Sequence, residues 1–455
     1  MKPPKCSSSP VSVVNHPQPS EAGGELRLRR PNREGVVPIA AHVDGLLPAD
    51  HQARQVWAII IQLDLSAFYS EIRVTAGRPG RSAIDPQLLV ALWVYGLSQG
   101  EMEGRAIARL CVEHVAYMWL CGGVTVNEHT LNDFRVQHEA GLDGLLTQVV
   151  MSLSGAGLVG WETQAQDGMR VRASAGAASF HRQPTLEKHL AASQTQVAAL
   201  ESEASSTCES APVPPLPPRQ QAARERAVNE RIIRLEAALA ELPAVQAVKP
   251  AKERAEARVS STDPQARVMK MADGGFRPAY NWQFATDVLA QVIVGVDLVN
   301  HGSDMGEMEP MLRQLQRRYA RLPTAWLIDG GFVKLSDFES WGGSVQLFAP
   351  VPKPKDPERD PYQPLPDDSP VIAAWRQRMG TAAAKTTYKL RAATAECVNA
   401  QARTQHGLQQ SGVRGIAKNR CLALWVALTH NLLVWMRELG TTPLPRLQAA
   451  PLPTA

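Results

Sequence analysis

The stretch AYNWQFATDVLAQVIVGVDLVNHG, residues 279–302, decides the fold class. It is rich in β-branched and aromatic residues, it alternates or runs apolar, and it splits near Leu289-Ala290, the pattern of two strands joined as a hairpin. Downstream, MEPMLRQLQRRYARL (308–322) has the spacing of an amphipathic helix, TAWLID (324–329) reads as a short buried strand, KLSDFESWG (334–342) as a helix and SVQLFAP (344–350) as another strand. Upstream, WETQAQD (161–167) is a first strand. Strand, hairpin, helix, strand, helix, strand and helix make an α/β order, with Asp167 closing the first strand and Asp329 the fourth.

Before this unit, residues 57–155 have a helical pattern. DPQLLVALWVYGLSQG (85–100) opens with Asp85 as N-cap and Pro86 at the first helical position. EGRAIARLCVEHVAYMWLCGG (103–123) repeats the periodicity as one helix ending at Gly122-Gly123, and a third begins at Asn127 or Thr130. Successive short helices with basic residues between them fit a DNA-binding helical domain. Between the first strand and the hairpin, residues 181–261 hold two charged helices around the proline-rich APVPPLPPR (211–219); Ile232, Leu235, Leu239 and Leu242 stripe the second, which predicts a coiled-coil-like helical arm. Residues 1–56 and 438–455 read as disordered tails, the first of them basic, and VPKPKDPERDPYQPLPDDSP (351–370) as an exposed loop.

A chain of 455 residues, 44% of them hydrophobic, can bury a sizeable core and divides into two or three domains. Net charge is only +4, but basic residues bunch in LRLRRPNR, in RQLQRRYARL and from Arg403 to Arg420, where they would meet an acidic polymer. The six cysteines form no C-x-x-C pair, as expected of a reduced cytosolic protein. The longest apolar run, CLALWVALTHNLLVWM, is interrupted by His430 and Asn431 and is too short to span a membrane; it reads as a core helix whose two polar residues are satisfied internally.

Asp167, Asp329 and Glu396 carry the chemistry of this reading. Asp167-Gly168 and Asp329-Gly330 stand where strands meet glycine, and Glu396 lies on a basic helical stretch, YKLRAATAEC. Taken singly, an aspartate before glycine is a turn residue. Together, two strand-end aspartates and a helical glutamate can converge on a pair of magnesium ions and stabilise both the entering and the leaving oxygen of a phosphodiester displacement.

These segments resemble the DDE transposases of bacterial insertion sequences, in the branch with an N-terminal helical domain, over residues 63–437. GRPGRSAIDPQLLVALWVYGL, YMWLCGG and HTLNDFR are similar to that family's N-terminal domain. QDGMRVRASA matches the first acidic landmark, with Asp167, and IDGGF the second, with Asp329 and with Phe332 where tyrosine is usual. Tyr388, Arg391, Glu396 and Arg403 fill the third, with arginine in place of the common lysine. The resemblance implies a ribonuclease-H-like mixed sheet (156–180 and 262–437) with the arm inserted. It implies two Mg2+ or Mn2+ ions on Asp167, Asp329 and Glu396, and DNA phosphates on Arg170, Arg172, Tyr388, Arg391 and Arg403. It also implies a bacterial cytoplasmic enzyme, nucleoid-associated when acting, that works as a homodimer on double-stranded DNA, at transposon ends and target, without a membrane.

Trp282 could stack on a flipped base, although a strand tryptophan is more often core. NHGSDMGE (300–307) reads as a turn, with Asp304 a secondary candidate ligand. Two rival readings are an inactive or domesticated DNA-binding regulator and a structural protein assembled through the arm.

Overall fold

The computed structural model describes residues 42–72, 82–205, 217–354 and 356–442. The N-terminal lobe is helical: α1 (Gln52–Ile60), α2 (Ser66–Tyr69), α3 (Pro86–Ser98), α4 (Gly104–Glu113), α5 (Val115–Cys121), α6 (Glu128–Gln137) and α7 (Glu139–Gly155). Asp85 caps α3 by accepting from the Gln87 amide at 2.8 Å, with Pro86 where its missing N–H costs nothing. Nearly every residue of α3 is buried, so it is the axle of this lobe. Asn127 caps α6 through the Thr130 amide at 2.9 Å.

Two expectations are corrected here. The sequence predicts a disordered tail through residue 56, yet a 3-10 turn at Val43–Leu46 and helix α1 are already formed, because Ala53, Val56, Ile59 and Ile60 bury one apolar face; residues 1–41, with the basic LRLRRPNR, lie outside the described residues, as do 443–455. The single helix 103–123 is two. His114 adopts extended dihedrals and turns its ring back to accept from the Ala116 amide at 3.2 Å, ending α4 and capping α5.

The sheet begins with β1 (Thr163–Arg172). Beyond it come β2 (Phe180–His181), the arm helices α8 (Gln183–Ser205) and α9 (Pro218–Ala247), and β3 (Val259–Ser260), which pairs with β2 at the arm's root. Leu186, Leu235, Ala238, Leu242, Val245, Ala257 and Val259 give this arm its own small core. The main sheet continues with β4 (Arg267–Lys270), β5 (Phe276–Asp287), β6 (Ile293–Val299), α10 (Met308–Tyr319), β7 (Ala325–Leu327), α11 (Leu335–Trp341) and β8 (Gln346–Phe348). Its order is β4-β5-β1-β7-β8, with β6 sharing the β5 edge with β4; β1 runs antiparallel to β5 and parallel to β7, and β7 parallel to β8.

The anticipated hairpin is β5–β6. The first strand runs five residues past Asp167, so Asp167 stands in mid-strand and does not close it: QDGMRVR keeps the alternation, and β5 pairs with β1 as far as Arg172↔Ala279.

After the loop come α12 (Pro370–Gly380), α13 (Ala382–Arg391), a π-helical turn at Ala392–Glu396, α14 (Cys397–Thr404) and α15 (Ile416–Leu439). Helix α15 is wedged between the lobes, touching α3, α6 and α7 on one side and β6 on the other. Its Leu422, Trp425, Val426 and Leu428 are fully buried, each contributing about 1.5–3 kcal/mol. As expected, its polar pair is satisfied inside: His430 Nε2 lies 2.8 Å from the Gln291 carbonyl, and Asn431 exchanges two hydrogen bonds with the Ile293 backbone. No helix among the described residues is long and apolar enough to cross a membrane.

Candidate active site

The parallel register of β1 and β7 pairs Ala165 with Leu327. Two residues further along each strand stand Asp167 and Asp329, and the period of two puts both carboxylates on the same face as that pair, on adjacent strands about 4.8 Å apart. Asp329 keeps extended dihedrals beyond the end of β7, and its Oδ1 accepts from the Gly331 amide at 2.8 Å, starting a 3-10 turn. It is both a turn residue and half of an acidic pair.

The C-terminal helices cover this face. Arg391, the last residue of α13, sits with its Nη1 3.6 Å from Asp167 Oδ1 and donates from Nη2 to Glu396 Oε1 at 2.8 Å. The π turn between them adds one residue to the helical repeat, an arrangement that recurs at functional sites. Three residues after Glu396, Asn399 Nδ2 donates to Asp167 Oδ2 at 3.0 Å. Tyr388 stands one turn before Arg391 on α13, close enough for the guanidinium charge to act on its hydroxyl.

Burial pushes the Asp167 carboxyl up to about 6; the Arg391 charge opposes this and the nearby Asp329 charge adds to it. Burial also draws the Arg391 guanidinium downward, but Asp167, Tyr388, Asp329 and Glu396 outweigh it and the net direction is up. The Tyr388 hydroxyl is raised, mainly by burial. All three acids thus act on one guanidinium. Glu396 remains exposed and turned to Arg391, and among the described residues no three histidine, cysteine, aspartate or glutamate side chains are grouped to hold a metal ion. The carboxylates have the hard-oxygen chemistry that magnesium takes, but in this arrangement the cation between them is Arg391.

The other sequence candidates separate. In the β1–β5 register Asp167 faces Phe284 and Met169 faces Trp282, while Gly168 faces Gln283 and Arg170 faces Asn281. Arg170 therefore points from the opposite side of the sheet, where its Nη2 donates to the Gly302 carbonyl at 2.6 Å and to Asp304 Oδ2 at 3.1 Å. Arg172 is exposed at the far end of β1, and Arg403 is half-buried on α14. Trp282 is fully buried in the core, so base stacking by it is ruled out in this fold. Phe332 is likewise fully buried, in an apolar setting that needs no hydroxyl.

Asn399 escaped the sequence reading, and Asp304, the secondary candidate of the 300–307 turn, lies with Arg170 on the other side of the sheet. Asn399 could have been found from its place three residues after Glu396 on the same helical face. Asp304 is held beneath the sheet by Asn281 Nδ2 at 2.6 Å and Gln283 Nε2 at 2.7 Å. A side chain at Gly168 would strike this cluster, with Gln283 Nε2 only 2.6 Å and Asn281 Oδ1 2.9 Å from its Cβ.

Residues 41–137 match the family described as "Transposase domain (DUF772)", and residues 368–435 match the one described as "Transposase DDE domain". No curated protein and no solved structure gives a match.

Proposed function

We propose, from these two domain matches, that the chain is a DDE transposase that binds the terminal inverted repeats of a bacterial insertion sequence and cuts and rejoins DNA there. The observation that carries this reading is the Ala165–Leu327 register, which sets Asp167 beside Asp329 under the helix bearing Arg391 and Glu396. The strand order supports a ribonuclease-H-like sheet spanning 156–180 and 262–437, interrupted by the arm at 181–261 and preceded by the helical DNA-binding domain. DNA phosphates would meet Arg172 and Arg403, and the protein would act as a homodimer on DNA.

Asp167, Asp329 and Glu396 would hold two magnesium or manganese ions, which when bound would activate water or a 3′-hydroxyl and stabilise the leaving oxygen. The chain's own part is to position and to dehydrate. Asn399 fixes one oxygen of Asp167, burial keeps water from its carboxyl, and Arg391 compensates the acidic charge until Glu396 turns inward. Released from Glu396, the Arg391 guanidinium can fork onto a phosphate.

The test is cleavage of duplexes carrying the element's terminal repeats with magnesium, comparing wild type with Asp167→Ala, Asp329→Ala and Glu396→Ala. Loss of cutting in all three, with DNA binding kept, is expected; cutting that survives them removes the site assignment. The engagement of Glu396 with Arg391 favours one second reading, a DNA-binding regulator without cleavage. It would be upheld by a wild type that binds the ends tightly and cuts nothing.

A further inference from the structure

At the root of the arm lies a cavity of about 230 Å³, lined by His189, Arg231, Arg234, Leu235, Ser261, Thr262 and Arg414. Its walls come from three places: His189 from α8, Arg231, Arg234 and Leu235 from α9, with the two arginines one turn apart, and Ser261, Thr262 and Arg414 from loops of the sheet domain. Each wall is fixed. Leu235 is buried in the arm's core, and the Ser261 amide donates to the Ser179 carbonyl at 2.9 Å. The Thr262 amide donates to Ser260 Oγ at 3.1 Å. Arg414 is held by its Nε on the Ser174 carbonyl at 3.3 Å and precedes Gly415, whose φ of 83° and amide bond to Asp263 Oδ1 set the turn into α15.

No carboxylate lines the cavity. Glu230 pairs with Arg234 at 3.7 Å along α9, and Asp263 below accepts through Oδ1 from the Tyr280 hydroxyl and the Gly415 amide. Three guanidiniums, an imidazole and the Thr262 hydroxyl form a donor set for a tetrahedral oxyanion, while the Ser261 hydroxyl donates to the Ser179 carbonyl at 3.3 Å. At about 30 Å³ per water, the cavity has room for a phosphate group with bridging waters. Arg231 and Arg414 are exposed, so the cavity opens at the surface where a polymer can enter it.

We propose that this cavity is a phosphate-binding pocket that grips the DNA backbone at the junction of the arm and the sheet domain. The proposal rests on the transposase reading for its polymer, and on the cavity for its chemistry. It gives the inserted arm a role separate from the acidic site: to clamp duplex against the sheet domain through one or two phosphates.

The test uses the full-length chain and a fluorescein-labelled duplex of mixed sequence, with anisotropy followed across a salt series. Arg231→Gln/Arg234→Gln should flatten the slope of log K against log salt by about 1–2, and Arg414→Gln alone by about 1. The control Arg224→Gln/Arg226→Gln removes the same charge nearer the start of α9 and should change the slope by less than half as much. Arg414→Gln, on another wall, gives an independent answer should the double variant fold poorly. Equal slopes for pocket and control pairs, or an unchanged slope in both pocket variants, overturn the pocket while leaving the transposase reading in place. A wild type that binds no duplex overturns both. Thermal stabilisation by inorganic phosphate that the double variant loses, with DNA slopes unchanged, shows a small-anion site and overturns the DNA assignment.

Discussion

Arg391 holds Glu396: its Nη2 donates to Glu396 Oε1 at 2.8 Å across the π turn, while its Nη1 lies 3.6 Å from Asp167. Under the proposed function, the guanidinium lies between the acids that would hold the metal. Removing it by Arg391→Ala leaves Asp167 buried and uncompensated, and is expected to destabilise the metal-free protein by about 3–5 kcal/mol. Manganese should raise the melting temperature of this variant more than that of wild type. Equal manganese shifts would show that Arg391 and the metal do not share a place.

The Asp167 carboxyl titrates near 6 against a reference of 3.8, because it is buried. Since the folded value is the higher, the native chain holds this proton more tightly than the unfolded chain. The associated stability is complete below pH 3.8 and is lost as pH rises through about 6, a change of roughly 3 kcal/mol. In EDTA, Asp167→Asn should therefore be more stable than wild type at pH 8 by about 1–3 kcal/mol, with the advantage gone near pH 4. Urea denaturation at the two pH values measures it, and a flat difference would contradict the burial argument.

Asn399 positions Asp167 and touches no DNA in this reading. Asn399→Leu should cut the rate of strand cleavage by about 10–100-fold, as loss of a ligand-orienting partner does, and should leave the duplex affinity unchanged. Asn399→Ser, which can still donate, should recover part of the rate. Weakened DNA binding in the leucine variant would instead place Asn399 on the nucleic-acid surface.

Gly168 has no space for a side chain. Gly168→Ala drives a methyl against Asp304, Gln283 and Asn281, a packed polar cluster, and should cost about 1–3 kcal/mol or more in urea denaturation. Stability within experimental error of wild type would mean that the cluster relaxes freely.

Asn431 extends the β6 edge with a side-chain amide, accepting from the Ile293 N–H and donating to its C=O, both at 2.8 Å. Asn431→Leu is nearly isosteric but orphans both groups, so a loss of about 2–4 kcal/mol is expected. Amide exchange at Ile293 should quicken in the same variant; protection there unchanged would show the bond to be dispensable.

The sequence made the scaffold of the site legible where periodicity and glycine punctuation are strong. The β5–β6 hairpin and the short β7 follow from apolar runs bounded by turn residues, and these alone bring Asp329 to its place. One histidine broke the helical reading. His114 lies within a continuous helical pattern, and histidine carries no breaker signal; only the capping bond of the ring reveals why the chain turns there. The extent of β1 was misjudged because Gly168 looks like a strand end, whereas it is needed to let Asp304 approach the sheet. The meeting of Arg391 with both acids was out of reach, since a π turn has no compositional mark and decides which way Glu396 points.

Helix α15 closes the α3 lobe on one side and the β6 edge on the other, yet it is translated after every element of both lobes. Neither lobe can bury its apolar face until that segment has left the ribosome. A nascent chain arrested before Ile416 should stay protease-sensitive through both lobes, and synthesis past Leu439 should protect them in a single step. Premature termination before Ile416 should therefore leave no natively folded fragment of either lobe to compete with the full protein.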